Sequence, residues 1–249
     1  MVRITVLKIE DLHVEAGGKE ILKGIHLEIG DGQTCVLFGP NGSGKSTLLA
    51  AIMGLGHCTV TKGRILYNDM DITKMPIDER ARLGIGMMMQ RPPNIVGVKL
   101  KDLVSVVSNK DDILKRSGEF KMDEFLERDI NVGFSGGEIK RSELLQLTAQ
   151  RPKFILLDEP ESGVDLENID LVGKKVHDLL YEDTHCKLGK VVSALVITHT
   201  GDILKHIGAD NAYVLNDGRI KCSGRPMDIL KDIRERGYKE CIQCRKIKR

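Results

Sequence analysis

The sequence predicts an α/β fold: a buried parallel sheet, an antiparallel β subdomain beside it and a small helical subdomain. Three observations predict it. Thr34-Cys35-Val36-Leu37-Phe38, Phe154-Ile155-Leu156-Leu157 and Ala194-Leu195-Val196-Ile197 are short continuous apolar runs, the pattern of strands covered on both faces. Helical segments separate them, as a parallel sheet requires. Ile4 to Val14 and Ile21 to Ile29 instead alternate apolar and polar residues around a Gly17-Gly18 turn, the pattern of half-buried antiparallel strands.

Taken in order, the alternating pair leads to the run at Thr34–Phe38, then a glycine-rich loop and an apolar helix from Ser46 to Met53. Residues Gly63 to Asn68 read as a further strand. From Leu100 to Asn131 the chain is charged, with apolar residues at Leu100, Leu103, Val104 and Val107, and reads as a helical insertion. Ile139 to Ala149 and Leu166 to Leu180 read as helices, with Glu182 to Lys190 as a polar connection. Tyr213-Val214-Leu215, Asn216-Asp217-Gly218 and Arg219-Ile220 read as a hairpin.

The 249 residues fit one domain, with residues 1–99 and 150–240 as its core, 100–149 as the helical subdomain and 241–249 as a basic tail. Charged residues nearly cancel, at a net +2, which gives no support for a nucleic-acid partner. No apolar run approaches the roughly 20 residues that span a bilayer, so direct membrane insertion is not expected. Met1-Val2-Arg3-Ile4-Thr5 reads as a strand and not as a signal peptide. Cys35, Cys58, Cys186 and Cys222 are scattered, as reduced thiols of a cytoplasmic protein are.

The strongest motif is Gly39-Pro40-Asn41-Gly42-Ser43-Gly44-Lys45-Ser46-Thr47, a P-loop between an apolar strand and a helix. Its glycines let backbone amides wrap a phosphate chain where a Cβ would clash. Lys45 is placed for the outer phosphates and Ser46 for Mg²⁺. Asp158 and Glu159 close the apolar run at Phe154–Leu157. Asp158 suits the Mg²⁺ side and Glu159 suits polarising a water. Phe134-Ser135-Gly136-Gly137-Glu138 opens a second helix whose N-terminus also suits phosphate. One nucleotide rarely needs two such sites in one chain, and a head-to-tail homodimer resolves the surplus.

These motifs resemble those of the ATP-binding cassette family, whose signature is usually Leu-Ser-Gly-Gly-Gln; Phe134 and Glu138 depart from it. The resemblance implies a P-loop ATPase with ATP and Mg²⁺. Gln90 matches the Q-loop glutamine at Mg²⁺ and the attacking water. Ser162-Gly163-Val164-Asp165 matches the D-loop, and His199 matches the switch histidine. It further implies that Ser135, Gly136, Gly137 and Glu138 act in trans in a transient ATP-dependent dimer. The family usually stacks an aromatic ring on adenine near the first hairpin. Val14-Glu15-Ala16-Gly17-Gly18 carries none.

Within that family the chain is most similar to the archaeal-type SufC ATPases of iron–sulfur cluster assembly. The similarity lies in Asn131–Arg141, Leu157–Asp165, Leu7–Val14 and Arg236-Gly237-Tyr238. It implies docking on a SufB- or SufD-type scaffold. The alternative is the ATP-binding subunit of a membrane transporter, whose membrane part another chain supplies. Met87-Met88-Met89, ahead of Gln90, fits either core packing or an adaptable docking surface. Cys241-Ile242-Gln243-Cys244 fits half of a zinc or iron–sulfur site, a redox dithiol or a tail without specific chemistry. A tetrahedral site needs two more ligands from elsewhere.

Overall fold

The computed structural model describes residues 5–108, 116–181 and 192–243. β1 (Thr5–Ala16) and β2 (Lys19–Gly30) pair antiparallel, and β4 (Cys58–Tyr67) pairs on the other edge of β1. Gly17 and Gly18 close the hairpin at φ of 57° and 73°, a left-handed backbone that glycine adopts without strain. A short β5 (Met70–Asp71) completes this antiparallel sheet in the order β2-β1-β4-β5.

The second sheet holds β3 (Thr34–Phe38), β6 (Ile85–Met88), β9 (Phe154–Asp158), β10 (Ser193–Ile197), β11 (Asn211–Asn216) and β12 (Arg219–Gly224). Its order is β12-β11-β3-β10-β9-β6, parallel except for the β11–β12 hairpin. Helix α1 (Lys45–Met53) follows β3, and α2 (Ile77–Arg82) precedes β6. A two-stranded ribbon, β7 (Ile95–Lys99) with β8 (Asp129–Ile130), frames α3 (Leu100–Ser105). Helices α4 (Gly136–Gln150), α5 (Leu166–Leu180) and α6 (Pro226–Gln243) complete the fold. Among the described residues no helix is long and apolar enough to cross a membrane.

The continuous apolar runs are explained by cover on both faces. Phe154 and Leu156 join Ile9, Leu12, Leu48 and Leu49 in a core between the two sheets. Ile155 and Leu157 point the other way, into a core shared with Leu144 on α4 and Val176 on α5. Two-sided burial leaves no position on β9 for a polar residue until Asp158, where the strand ends.

Helix α1 is held at its C-terminus by Arg80, which is 2% exposed. Its guanidinium donates to the carbonyls of Ala51 at 2.7 Å, Ile52 at 2.8 Å, Met75 at 2.9 Å and Thr73 at 3.0 Å. A cation at the negative end of a helix answers carbonyls the helix cannot satisfy itself. Arg80→Ala removes these four hydrogen bonds; the Ala51 carbonyl keeps the Gly54 N–H at 3.3 Å, and the others lose a charged donor. The expected cost is about 3 kcal/mol, read as a lowered urea midpoint; an unchanged midpoint refutes this role.

Several sequence expectations are corrected. Among the described residues of Leu100 to Asn131, helix is found at α3, at 116–119 and as a 3₁₀ turn at Asp123–Phe125, while Phe120 to Met122 and Leu126 to Arg128 are not helical. Phe120, Met122, Leu126 and Ile130 are spaced to plug one core from irregular backbone, not to line a helix face. The strand expected at Gly63 begins earlier, at Cys58. Helix α6 runs to Gln243 across a kink at Gly237, so 241–243 of the expected tail are helical, and 244–249 lie outside the described residues. The connection at Glu182 to Lys190, with Cys186, lies outside the described residues.

Candidate functional site

Four parallel strands of the second sheet end side by side, and their carboxyl ends carry the site, as open α/β sheets dispose their ligands. β3 leads into the Gly39–Gly44 loop, β6 into Gln90, β9 into Glu159 and β10 into Thr198 and His199. The cleft there measures about 430 Å³ and is lined by Lys45, Ser46, Thr47, Asn41, Gln90 and Glu159, with Ile21 and two loop glycines. Gly42 and Gly44 sit at φ of 76° and 105°. A Cβ on Gly39 would lie 2.2 Å from the carbonyl oxygen of Leu215, so the loop's first residue has no room for a side chain. Pro40 supplies a carbonyl to the loop, and Ser43 is buried with its hydroxyl without a hydrogen-bond partner.

The Lys45 ammonium, 6% exposed, donates to the carbonyls of Gly39 at 2.9 Å and Pro40 at 3.1 Å. Burial lowers its pKa, and the charges of Glu159 and Asp158 oppose that. Asp158 is raised by burial, while a hydrogen bond from Ser46 pulls it down and the Glu159 charge pushes it up. Its Oδ1 accepts no hydrogen bond. An oxygen-only set of Ser46, Asp158 and the Gln90 amide, with one buried carboxylate oxygen unanswered, fits Mg²⁺, a hard cation that retains several waters.

Glu159 is gripped from both sides. Its Oε2 accepts from Gln90 Nε2 at 2.5 Å, and its Oε1 lies 2.6 Å from His199 Nε2. Its backbone sits at φ 51°, uncommon for a residue with a side chain, and its N–H is fixed by the Ile197 carbonyl at 3.1 Å. The two candidate catalytic partners therefore meet on the same carboxylate.

The signature segment is elsewhere. Among the residues lining the cleft there is none of Ser135, Gly136, Gly137 or Glu138. Ser135 and Gly136 are exposed at the start of α4. Glu138 has a local role: its Oε2 accepts the Ser135 N–H at 2.7 Å, and Ser135 Oγ accepts the Glu138 N–H at 3.4 Å. This capping box satisfies two helix-start donors, and a glutamine there would serve equally. Phe134 also has an account. Its ring meets Phe125 edge-on at 4.8 Å, and the Arg128 guanidinium lies over both rings at 4.8 and 5.0 Å. Arg128 also donates to the carbonyls of Val132 and Gly133, so it braces the loop ahead of Ser135. Asp165 caps α5, accepting the Asn168 N–H at 2.9 Å.

Sequence reasoning missed Glu161 and Glu143, two buried acids. Glu161 accepts from the Thr198 and Thr200 hydroxyls and ties the loop after β9 to the loop after β10. Burial raises its pKa, against the Thr198 bond. Of the methionines, Met88 is fully buried, while Met87 and Met89 are half-buried and line a separate groove. The core-packing reading therefore holds for Met88.

Among the described residues no group of three or more His, Cys, Asp or Glu side chains is arranged to hold a metal. Cys241 falls in the last turn of α6 without a described side chain, and Cys244 lies outside the described residues. The zinc or iron–sulfur contact expected of that pair therefore lies outside what the structure describes.

A phosphate-wrapping loop, a buried lysine and a strand-end acid pair define a P-loop nucleoside triphosphatase. The family model described as ABC transporter matches residues 22–162. The chain belongs to the ATP-binding cassette family and is an ATPase. It is 41% identical over 236 residues to a probable ABC transporter ATP-binding protein of Streptococcus pyogenes, covering 89% of each chain. It is 42% identical to vegetative protein 296 of Bacillus subtilis, over 88% of this chain and 87% of that one. It is 38% identical to an uncharacterized ABC transporter ATP-binding protein of Methanocaldococcus jannaschii, over 99% and 98%. The fold matches the ADP conformation of an ATP-binding cassette of an ABC transporter with a TM-score of 0.75, at 24% identity over 96% and 99% of the two chains.

Among the described residues no aromatic ring lines the cleft, and Ile21 is its apolar wall. Stacking on a ring contributes about 1–3 kcal/mol per base where it occurs. ATP and GTP are therefore expected to bind within about threefold of each other, an energy gap of under 1 kcal/mol. Fluorescence competition checks this, and a strong preference for ATP defeats it.

Proposed function

We propose that the chain works as a head-to-tail pair in which each Mg²⁺-ATP is closed between two protomers, and that the pair drives a separate partner chain. The observation that carries this reading is the division of groups. One protomer's cleft holds Lys45, Ser46, Gln90 and Glu159, with His199 against Glu159, while its Ser135 and Gly136 are exposed at a helix start and Gly137 is buried behind them. Lys45 and the loop amides hold the phosphates. Ser46, Asp158 and Gln90 hold Mg²⁺, which when bound neutralises phosphate charge. Glu159 orients the attacking water, and His199 holds Glu159 and the developing charge in place. Ser135, Gly136 and Gly137 of the second protomer donate to the γ-phosphate. Catalysis is by positioning and electrostatics.

For the partner, the reading is a SufC-like ATPase acting on a SufB/SufD-type scaffold in iron–sulfur cluster assembly. Its support is the run of matching residues in Asn131–Arg141 and Leu157–Asp165. A second reading, the ATP-binding subunit of a membrane transporter, is favoured by the names of the streptococcal and methanogen relatives. The hydrolytic chemistry is identical in both, because the partner sets the biology. Anaerobic affinity purification from the native host discriminates them. The SufC-like reading expects a scaffold protein without membrane spans. Recovery of an integral membrane protein instead overturns it in favour of the transporter. The tail pair belongs to the same proposal: zinc or iron bound in stoichiometric amount and lost on Cys→Ser at 241 and 244 supports a shared site. Metal-free protein from the same anaerobic preparation removes it.

A further inference from the structure

Glu161 is a third acid just past β9, after Asp158 and Glu159, and it does not line the nucleotide cleft. It is 7% exposed. Its Oε1 accepts from the Thr198 hydroxyl and, at 3.4 Å, from the Thr200 hydroxyl. Among the described residues its Oε2 has no hydrogen-bond partner. A buried carboxylate oxygen left unanswered is unfavourable. If the loops after β9 and β10 needed only to pack, an apolar side chain of similar length would join them without that cost. What the carboxylate adds is one atom that takes two donors at once.

The two donors stand on either side of His199. Thr198 is fully buried, and its Oγ1 also accepts the Gly201 N–H at 2.9 Å. Thr200 Oγ1 accepts the Asp202 N–H at 3.2 Å. Helix α6 holds the same segment. Arg234 Nη2 donates to the Thr200 carbonyl at 2.6 Å. Gly201, at φ 75°, sits so close to α6 that a Cβ there would lie 2.5 Å from Leu230 Cδ2. The His199 side chain is 31% exposed, so its own packing does not fix its aim; the backbone on either side does. That aim puts Nε2 at 2.6 Å from Glu159 Oε1.

We propose that Glu161 is a positioning residue for hydrolysis: it gathers the hydroxyls flanking His199 on one oxygen and so keeps the imidazole aimed at Glu159. The inference rests on the reading that Glu159 orients the attacking water and His199 holds Glu159. Glu161 acts through Thr198, Thr200 and His199 and not on the nucleotide. Its backbone adds a second link. The Glu161 carbonyl accepts the Val164 N–H at 3.4 Å, within the turn whose Gly163 carbonyl seats Gly136. One residue therefore joins the His199 segment to the turn that supports the start of α4.

The test compares Glu161→Gln, Glu161→Leu, Thr198→Ser and Thr198→Val in the full chain. Glutamine keeps the acceptor and serine keeps the hydroxyl; leucine and valine keep only the bulk. Glu161→Leu and Thr198→Val are expected to lower kcat about a hundredfold, the scale of a roughly 1 Å misplacement. KM for ATP is expected to change by less than about twofold, since ground-state binding is untouched. Glu161→Gln and Thr198→Ser are expected to stay within about threefold of the wild-type kcat, because the hydrogen bonds survive. The second readout is the ¹³C–¹H signal of His199 Cε1, assigned by its loss in His199→Ala. Glu161→Leu and Thr198→Val are expected to move it in the direction that Glu159→Ala moves it. A signal unmoved in Thr198→Val overturns the inference, whether or not the leucine variant folds. A raised KM with kcat unchanged overturns it too, and so does a serine variant as slow as the valine one. Turnover that survives His199→Ala strikes the reading of the catalytic site, while the His199 signal still decides the present inference.

Discussion

Glu159→Gln is expected to cut ATP turnover about a thousandfold, within the usual range for removing a positioned base, and to leave two ATP-loaded protomers locked together. Glutamine has the same shape, so contacts with Gln90 and His199 are kept in modified form, while the proton acceptor is lost. The γ-phosphate then stays in place and continues to bridge the two halves. Phosphate release measures the first effect. Size-exclusion chromatography with and without Mg²⁺-ATP measures the second. A variant that turns over at the wild-type rate removes Glu159 from the mechanism.

The second large effect tests whether the site is shared. A Cβ on Gly136 would meet the Gly163 carbonyl oxygen at 2.1 Å, a clash with backbone that cannot swing away. Gly136→Ala must therefore move the start of α4 and displace Ser135 from its cap. Removal of one donor to a developing charge typically costs about 10²–10³ in rate, and a loss of that size is expected. Lys45→Ala is expected to be at least as damaging, because it removes the cleft's buried cation. Mixed together, the two inactive variants are expected to recover activity up to about a quarter of the wild-type level, the limit that one intact site working at its full rate would give. Random pairing in a twofold dimer puts one intact composite site in half of the dimers. Absence of any recovery, with mixed dimers demonstrated, excludes a site built from both chains.

Much of this molecule was legible in its sequence because local pattern and buried position coincide. β3, β9 and β10 read as apolar runs because both of their faces are covered. The P-loop was legible because glycine is required there on steric grounds. Helix α6 was not recognised, since Gly237 breaks its period at φ 75°. Six-residue α2 is too short for periodicity to register. The form of the insertion depends on Arg128 lying over Phe125 and Phe134, a long-range stack that no local window contains. Glu143 looked like any charge on a helix, and only the packing of Met89 against it reveals that it is buried. The capping box of Ser135 and Glu138 was accessible from spacing alone and explains why glutamic acid is tolerated in the signature.

The close seat of Gly136 on the Gly163 carbonyl has a kinetic consequence. Gly163 belongs to a tight turn that begins at Glu159, whose carbonyl accepts the Ser162 N–H at 3.0 Å. In the proposed head-to-tail pair, the carboxylate assigned to one triphosphate is thus geared, over a few residues of stiff backbone, to the serine offered to the other. Two catalytic events in a symmetric pair cannot then be independent. The velocity of the wild-type enzyme should rise sigmoidally with ATP, with a Hill coefficient approaching the number of clefts.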